Sequence, residues 1–239
     1  MLKKNLILSL LSFIVILTAS FANKFRNAVA PAISKSKINI VDSGKFNLYD
    51  SLHLEIKGLN RQVFDYAIRG YQQLVQLGQL KNLNTLSIID FSMPSKVRRL
   101  FVLDLVHFRL LFNTYVAHGR NSGLQTATTF SNQPESFKSS LGFYSTKNIY
   151  NGKHGSSLQL NGLEKGFNDN ALSRGIVMHA ANYVDEQLAK ARGYIGRSLG
   201  CPAVPEKVHA AIIGAIANGS CLFVYANDKN YLTHSQYLN

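Results

Sequence analysis

From Leu86 onward the apolar residues come in short runs set apart by turn-forming residues: Leu86 to Ile89, Leu100 to Leu105, Leu110 to Val116, Leu158 to Leu160, Gly175 to Met178 and Cys221 to Ala226. Runs of this length suit strands and are too short to lay an apolar stripe along several helical turns. Helical signals flank them. In Asn60 to Leu77 the residues Val63, Phe64, Ala67, Ile68, Tyr71, Leu74 and Val75 recur at steps of three and four and stop at Gly78, which predicts an amphipathic helix whose aromatic residues face a core. Val184 to Arg192 reads as a short helix, and Pro205 to Asn218 as a stronger one, with proline at the first helical position and Gly219 as its stop. The expected fold class is therefore mainly β with flanking helices (α+β).

The chain opens with Met1-Leu2-Lys3-Lys4, continues through the apolar run Leu6 to Leu17, and offers a small-x-small site at Ser20-Phe21-Ala22. That order predicts a secretory signal over residues 1–22, cleaved after Ala22, with a run well short of the roughly 20 apolar residues a span requires. The alternative is an uncleaved N-terminal anchor. With cleavage, no stable membrane span is expected, and the protein is exported to the periplasm or cell envelope. Residues 23–50 read as an extended lead-in, 51–84 as a helical region, 85–229 as the β-rich body and 230–239 as a surface tail. Within the body, Gly119 to Gly155 is full of Ser, Asn, Gly and Thr. It is too long for a plain connection in a compact domain and is expected to line a site.

Charge narrows the partners. There are 26 Lys and Arg against 13 Asp and Glu, a formal +13, and losing Lys3 and Lys4 with the signal leaves the excess strongly positive. The basic residues are scattered and no nucleic-acid motif is present, so an anionic envelope fits better than nucleic acid. A hydrophobic content of 46% over this length can bury a core without disulfides.

Only two cysteines occur, and Cys201 sits in Ser198-Leu-Gly-Cys-Pro202. Three readings compete. As a nucleophile it needs a base, a group that orients the base, and donors for an oxyanion. His179 is the best base, because it closes the apolar run Gly-Ile-Val-Met and the small Ala180 and Ala181 leave room beside it. Gly200 allows a tight turn and could bring its N–H, with that of Cys201, to a carbonyl, whereas Pro202 has no N–H to give. Such a thiol is expected to be free, partly exposed and biased toward thiolate by a neighbouring imidazolium. The second reading is a Cys201–Cys221 disulfide, favoured by export and an even count. Against it, Cys221 opens an apolar run, where a buried thiol is a common core filler. The third is zinc held by Cys201 with His118, His154 and His179, although no HExxH or tight ligand pair supports it. His179 could also be an ordinary core histidine.

Residues 173–184, SRGIVMHAANYV, followed by GRSLGCPAVP at 196–205, resemble the murein L,D-transpeptidase (YkuD-like) catalytic domain, whose signature is a histidine followed by Ser-x-Gly-Cys. DFSMPSKVRRLFVLDL, VAHGRNSG, TTFSNQPESFKSSLGFYST and YNGKHGSSLQLNGL extend the likeness over roughly residues 85 to 228. The resemblance implies an L,D-transpeptidase-type β-rich catalytic domain over 85–229, with no metal or organic cofactor. Cys201 would attack the third residue of a peptidoglycan stem tetrapeptide, release D-alanine and pass the acyl group to an amine of another stem. Water as acceptor would make it an L,D-carboxypeptidase, and a disulfide-locked Cys201 would leave a noncatalytic wall-binding protein. His179 would be the base, oriented by a main-chain carbonyl near Ala180, and Gly200 and Cys201 would bind the oxyanion. Many members carry histidine where Leu199 stands, and Asn or Arg where Ala203 stands. Arg197, His118 and His154, together with Ser198, are the candidate substrate-binding residues here, since a guanidinium can pair a stem carboxylate in bidentate fashion.

Overall fold

The computed structural model describes residues 47–152 and 155–239. The signal segment, most of the lead-in and His154 lie outside them. Eight strands make one sheet: β1 (Thr85–Asp90), β2 (Leu100–Asp104), β3 (Arg109–Thr114), β4 (Gly142–Gly152), β5 (Gly155–Gly162), β6 (Val177–Ala180), β7 (Ala203–Val204) and β8 (Cys221–Tyr225), in the order β3-β2-β1-β8-β4-β5-β6-β7. The β1/β8 and β6/β7 pairs are parallel and the others antiparallel. The sheet curls until the chain leaving β3 meets β7, where the Ala117 N–H donates to the Ala203 carbonyl at 2.8 Å. The result is a nearly closed, barrel-like sheet, mainly β as the apolar runs predict.

β4 is the element the sequence hides. It falls in the turn-rich stretch Gly119 to Gly155, where no apolar run marks a strand, yet it is an eleven-residue strand that pairs with both β8 and β5. Its first five residues are buried and the rest exposed or half-buried, so the sequence GFYSTKNIYNG shows no alternation to mark it. Backbone pairing on both sides sustains a strand whose side chains do not announce one.

Five helices flank the sheet among the described residues: α1 (Leu48–Ser51), α2 (Arg61–Gln76), α3 (Glu186–Arg192), α4 (Glu206–Ile216) and α5 (Lys229–His234). α2 starts where the Asn60 side chain accepts from the Gln62 N–H at 2.8 Å, and it buries Val63, Phe64, Ala67, Ile68, Tyr71 and Leu74. Gly70 on that face admits the Phe143 ring, since a Cβ there would lie 2.0 Å from Phe143 Cζ. Phe143 stacks on Phe223 of β8 at 4.3 Å, which ties the helix to the centre of the sheet.

Two expectations about the ends need correction. Residues 230–239 are no surface tail: Tyr231, Ser235, Tyr237 and Leu238 are buried. The reason is Glu164, a buried carboxylate that accepts hydrogen bonds from the Tyr231 hydroxyl at 2.9 Å, the Ser235 hydroxyl and the Phe143 N–H. Burying it requires those donors, so the C-terminus has to fold over it. At the other end, Leu48 and Tyr49 of the lead-in pack in the core, Tyr49 against Phe64, while the rest of the lead-in lies outside the described residues.

Candidate functional site

The parallel β6/β7 pair builds the centre of the site. His179 lies opposite Ala203 in register, and the His179 N–H donates to the Pro202 carbonyl. Side chains two residues apart on a strand share a face, and partners in register do too, so Val177, His179 and Ala203 belong to one face of this ladder, and Cys201 lies in the turn that leads into β7. The half-buried Cys201 thiol rests against the start of β6, its Sγ 3.5 Å from the Val177 N and 3.8 Å from the Gly175 carbonyl. His179 is buried, with Nδ1 2.8 Å from the Ala180 carbonyl. A carbonyl only accepts, so Nδ1 carries a proton, and in the neutral ring this is the tautomer that leaves the basic position to Nε2.

The turn before Cys201 is held from several sides. The Ser198 hydroxyl donates to the Cys201 carbonyl at 2.6 Å and accepts from the Gly200 N–H at 3.1 Å, while its backbone pairs with His118 and Arg120. Gly200 has φ +124°, and a Cβ there would sit 2.9 Å from the Lys138 carbonyl. Only glycine fits that position. Ser139 bridges from the opposite side, accepting from the Gly119 N–H and donating to the Gly200 carbonyl. The Gly200 N–H is thus spent inside the turn, which corrects its expected role as an oxyanion donor. Among the described residues the N–H groups of Leu199 and Cys201 make no hydrogen bond.

Burial pushes the Cys201 thiol up from its ordinary value, with the Val177 N–H and the Arg174 charge pulling against it. The net direction favours the thiol over the thiolate expected from the sequence. Arg174 is the nearby cation that sequence reasoning missed. Its guanidinium donates to the Ser131 and Lys138 carbonyls at 2.8 and 2.7 Å and to the Ser140 and Ser136 hydroxyls. It lies inside the segment SRGIVMH, but nothing in its spacing sets it apart from a surface arginine.

The other named residues come out unevenly. Ser198 is buried and shapes the turn rather than facing a ligand. His118 is fully buried, with Nδ1 accepting from Arg99 Nη2 at 2.8 Å and Nε2 donating to the Gly123 carbonyl at 3.1 Å. Burial, reinforced by the Arg99 charge, pulls it down to about 4, so it is a neutral structural histidine and its expected substrate-binding role is overturned. Both of its nitrogens are engaged, which also removes it from the zinc set. Among the described residues no group of three or more His, Cys, Asp or Glu could hold a metal ion. Arg197 is on the surface, where Nη1 clamps the Arg120 and Gly123 carbonyls at 3.0 and 3.2 Å. Cys201 and Cys221 are both free thiols, Cys221 fully buried in β8, so the disulfide alternative is overturned. Ala203 is fully buried in a cluster with Ala117 and Ala181. His154 lies outside the described residues.

A cleft of about 510 Å³ opens further along the same face, past the ends of β6 and β7, where Ala181 and Pro205 line it with β3. It does not reach Cys201.

Among known proteins, residues 55–225 match the family model described as L,D-transpeptidase catalytic domain. No curated protein matches the sequence. Solved structures similar to the chain include an L,D-transpeptidase from Mycobacterium smegmatis, at 13% identity and TM-score 0.37, covering 60% of this chain and 59% of that one. Others are L,D-transpeptidase 1 from Mycobacterium tuberculosis, at 10% and 0.35 over 60% and 62%, and an L,D-transpeptidase from Stackebrandtia nassauensis, at 13% and 0.36 over 67% and 66%. The chain spans about three fifths of the length of the first of these. The domain match over residues 55–225, and not these distant structures, carries the assignment.

Proposed function

The chain belongs to the L,D-transpeptidase catalytic domain family, and from that premise we propose that it is an exported cysteine transpeptidase acting on peptidoglycan stem tetrapeptides. The observation that carries the reading is the half-buried Cys201 against the start of β6, the strand that also carries His179, whose Nδ1 is oriented by the Ala180 carbonyl. Two neighbouring unpaired N–H groups, those of Leu199 and Cys201, complete what acyl transfer requires.

The steps follow from these atoms. As Cys201 Sγ attacks the carbonyl carbon of the third stem residue, His179 Nε2 takes the thiol proton and the carbonyl oxygen becomes an oxyanion held by the Cys201 and Leu199 N–H groups. Collapse breaks the peptide bond to D-alanine, whose nitrogen leaves with the proton from His179. A thioester remains on Cys201. The side-chain amine of a second stem attacks it, gives its proton to His179, and the departing Sγ takes that proton back. The neutral resting thiol makes the imidazole essential in the first step and keeps the idle enzyme unreactive. Arg174 lowers the cost of the transient thiolate from behind the turn. Export through residues 1–22 belongs to the same reading, since the polymer lies outside the cytoplasm.

The test is D-alanine release from a disaccharide tetrapeptide. The unsubstituted protein and Cys221→Ala are expected to release it, whereas Cys201→Ala folds and releases none. Equal release from Cys201→Ala and the unsubstituted protein would remove Cys201 from the reaction. Release without any joined product would identify an L,D-carboxypeptidase.

A further inference from the structure

The two N–H groups assigned above to the oxyanion belong to the backbone, and a backbone N–H points where its peptide plane points. In a trans peptide the N–H and the carbonyl on the other side of the bond point in opposite directions, and none of the described peptide bonds is cis. The Ser198 carbonyl therefore sets the direction of the Leu199 N–H, and the Gly200 carbonyl that of the Cys201 N–H.

Both carbonyls are held from outside their own turn. The Ser198 carbonyl accepts from the Arg120 N–H at 2.7 Å, and the Gly200 carbonyl accepts from the Ser139 hydroxyl at 3.1 Å. That hydroxyl in turn accepts from the Gly119 N–H at 3.0 Å, which joins the two braces. The segments lie so close that a Cβ at Gly119 would come within 2.5 Å of the Phe137 carbonyl oxygen and 3.0 Å of Gly200 Cα. Ser139 is itself fixed. It is buried, its N–H donates to Ser122 Oγ at 2.9 Å, and its carbonyl accepts from the Ser131 N–H at 3.0 Å.

Gly200 makes such a brace necessary. Its left-handed φ and its contact with the Lys138 carbonyl demand glycine, and glycine is the residue that resists backbone rotation least. On the inner side, Ser139, Ser140, Tyr144, Gly200 and Pro202 border a cavity of about 10 Å³, room for one water at most. The Gly200 carbonyl faces buried Ser139, so the Cys201 N–H is turned the other way, out of the interior. A donor on the carbonyl also polarises the peptide and strengthens its N–H as a donor.

We propose that Ser139 is a positioning residue for acyl transfer: through the Gly200 carbonyl, its hydroxyl aims and polarises the Cys201 N–H that receives the oxyanion. The proposal rests on the function proposed above. Ser139 acts on the peptide before Cys201 and not on the thiol, so its loss leaves the attacking atom in place and weakens the hold on the transition state.

The test reads the peptide and the reaction separately. Gly200-Cys201 is the one Gly-Cys step in the sequence, so the full chain, isotopically labelled at glycine carbonyl carbons and cysteine nitrogens, gives a single carbon–nitrogen correlation by NMR. Ser139→Ala is expected to shift it. With a tetrapeptide donor the same variant is expected to lower kcat and kcat/KM for D-alanine release by one factor, roughly tenfold or more, as for an interaction made only in the transition state. Alkylation of Cys201 by iodoacetamide forms no oxyanion and is expected to keep its rate. Ser122→Ala is the control: it removes the bond to the Ser139 N–H and loosens the same loop, yet is expected to leave the correlation and kcat unchanged. Ser139→Cys, near in size and a much weaker donor, supplies the same comparison where alanine disturbs folding. An unmoved correlation in the Ser139 variants overturns the proposal, and so does a loss of kcat that Ser122→Ala matches or that alkylation shares. A shifted correlation with undiminished kcat overturns the positioning role. A shifted correlation in a chain whose unsubstituted form releases no D-alanine removes the reaction and upholds Ser139 as the residue that orients this peptide.

Discussion

Lowering the pH should unfasten the loop that carries the candidate nucleophile, and His118 is the group through which it should happen. The His118 carbonyl accepts the Ser198 N–H, and its ring sits between buried Arg99 and the Gly123 carbonyl. The groups facing it are both cations, Arg99 and Arg197, with Asp90 acting on Arg99. In the unfolded chain this imidazole takes up a proton near 6.5, in the folded one only at about 4. Between those values the unfolded state binds more protons, so stability falls as the pH drops through the window and is fully retained above 6.5. Each pKa unit is about 1.4 kcal/mol, so the whole loss is on the order of 3 kcal/mol. Other groups titrate nearby, including buried Asp90 and Glu164, whose carboxyls burial pushes up and whose contribution has the opposite sign. The comparison therefore needs a variant. His118→Gln keeps an acceptor and a donor in the pocket and cannot titrate. Urea unfolding at pH 7 and pH 4 is expected to show the unsubstituted protein losing on the order of 3 kcal/mol more than the variant. Parallel losses in the two proteins would refute the reasoning and mean that His118 is not held neutral by its surroundings.

Gly70→Ala should destabilise by about 1–3 kcal/mol through overpacking against Phe143, although alanine favours an isolated helix by about 1 kcal/mol; thermal unfolding gives the sign. Arg174→Gln removes the cation that pulls the Cys201 thiol down, so the pH at which Cys201 alkylates at half its maximal rate should rise, and an unmoved profile would count against the arginine's influence. Leu199 is exposed, with 58% of its surface open, so Leu199→His should fold and retain D-alanine release, as the histidine common at this position in relatives suggests. A collapse in turnover with normal unfolding would mean that the pocket depends on an apolar side chain there.

Much of the fold is legible because burial on one face leaves a period in the sequence. α2 and α4 fall where steps of three and four place them, and β2 and β8 are almost wholly apolar, with β1 largely so, because they are buried in the sheet. β4 is hidden because its outer half is exposed, with no alternation between buried and open positions, and is held by backbone bonds, which leave no side-chain signature. The C-terminal segment looked like a tail because its few apolar residues answer to one distant carboxylate, Glu164, which spacing cannot connect to them. In the candidate site, Cys201 and His179, the residues proposed as nucleophile and base, stand out in the sequence by residue type and motif. The roles of Ser198, Gly200 and His118 do not, because hydrogen bonds to Cys201, Arg99 and Gly123 turn polar groups that look ligand-facing into struts. Arg174 went unnoticed for the converse reason: its partners come from residues 131 to 140, far away in sequence.

The central claim is that acyl transfer passes through a covalent bond at Cys201. Rapid-quench mass spectrometry of the full chain mixed with a disaccharide tetrapeptide measures this directly. The expected result is a species heavier by the donor less D-alanine, mapped by proteolysis to Cys201, that disappears when a stem amine is added and joined product forms. Joined product accumulating with no adduct at any time, or an adduct mapped to another residue, would contradict it.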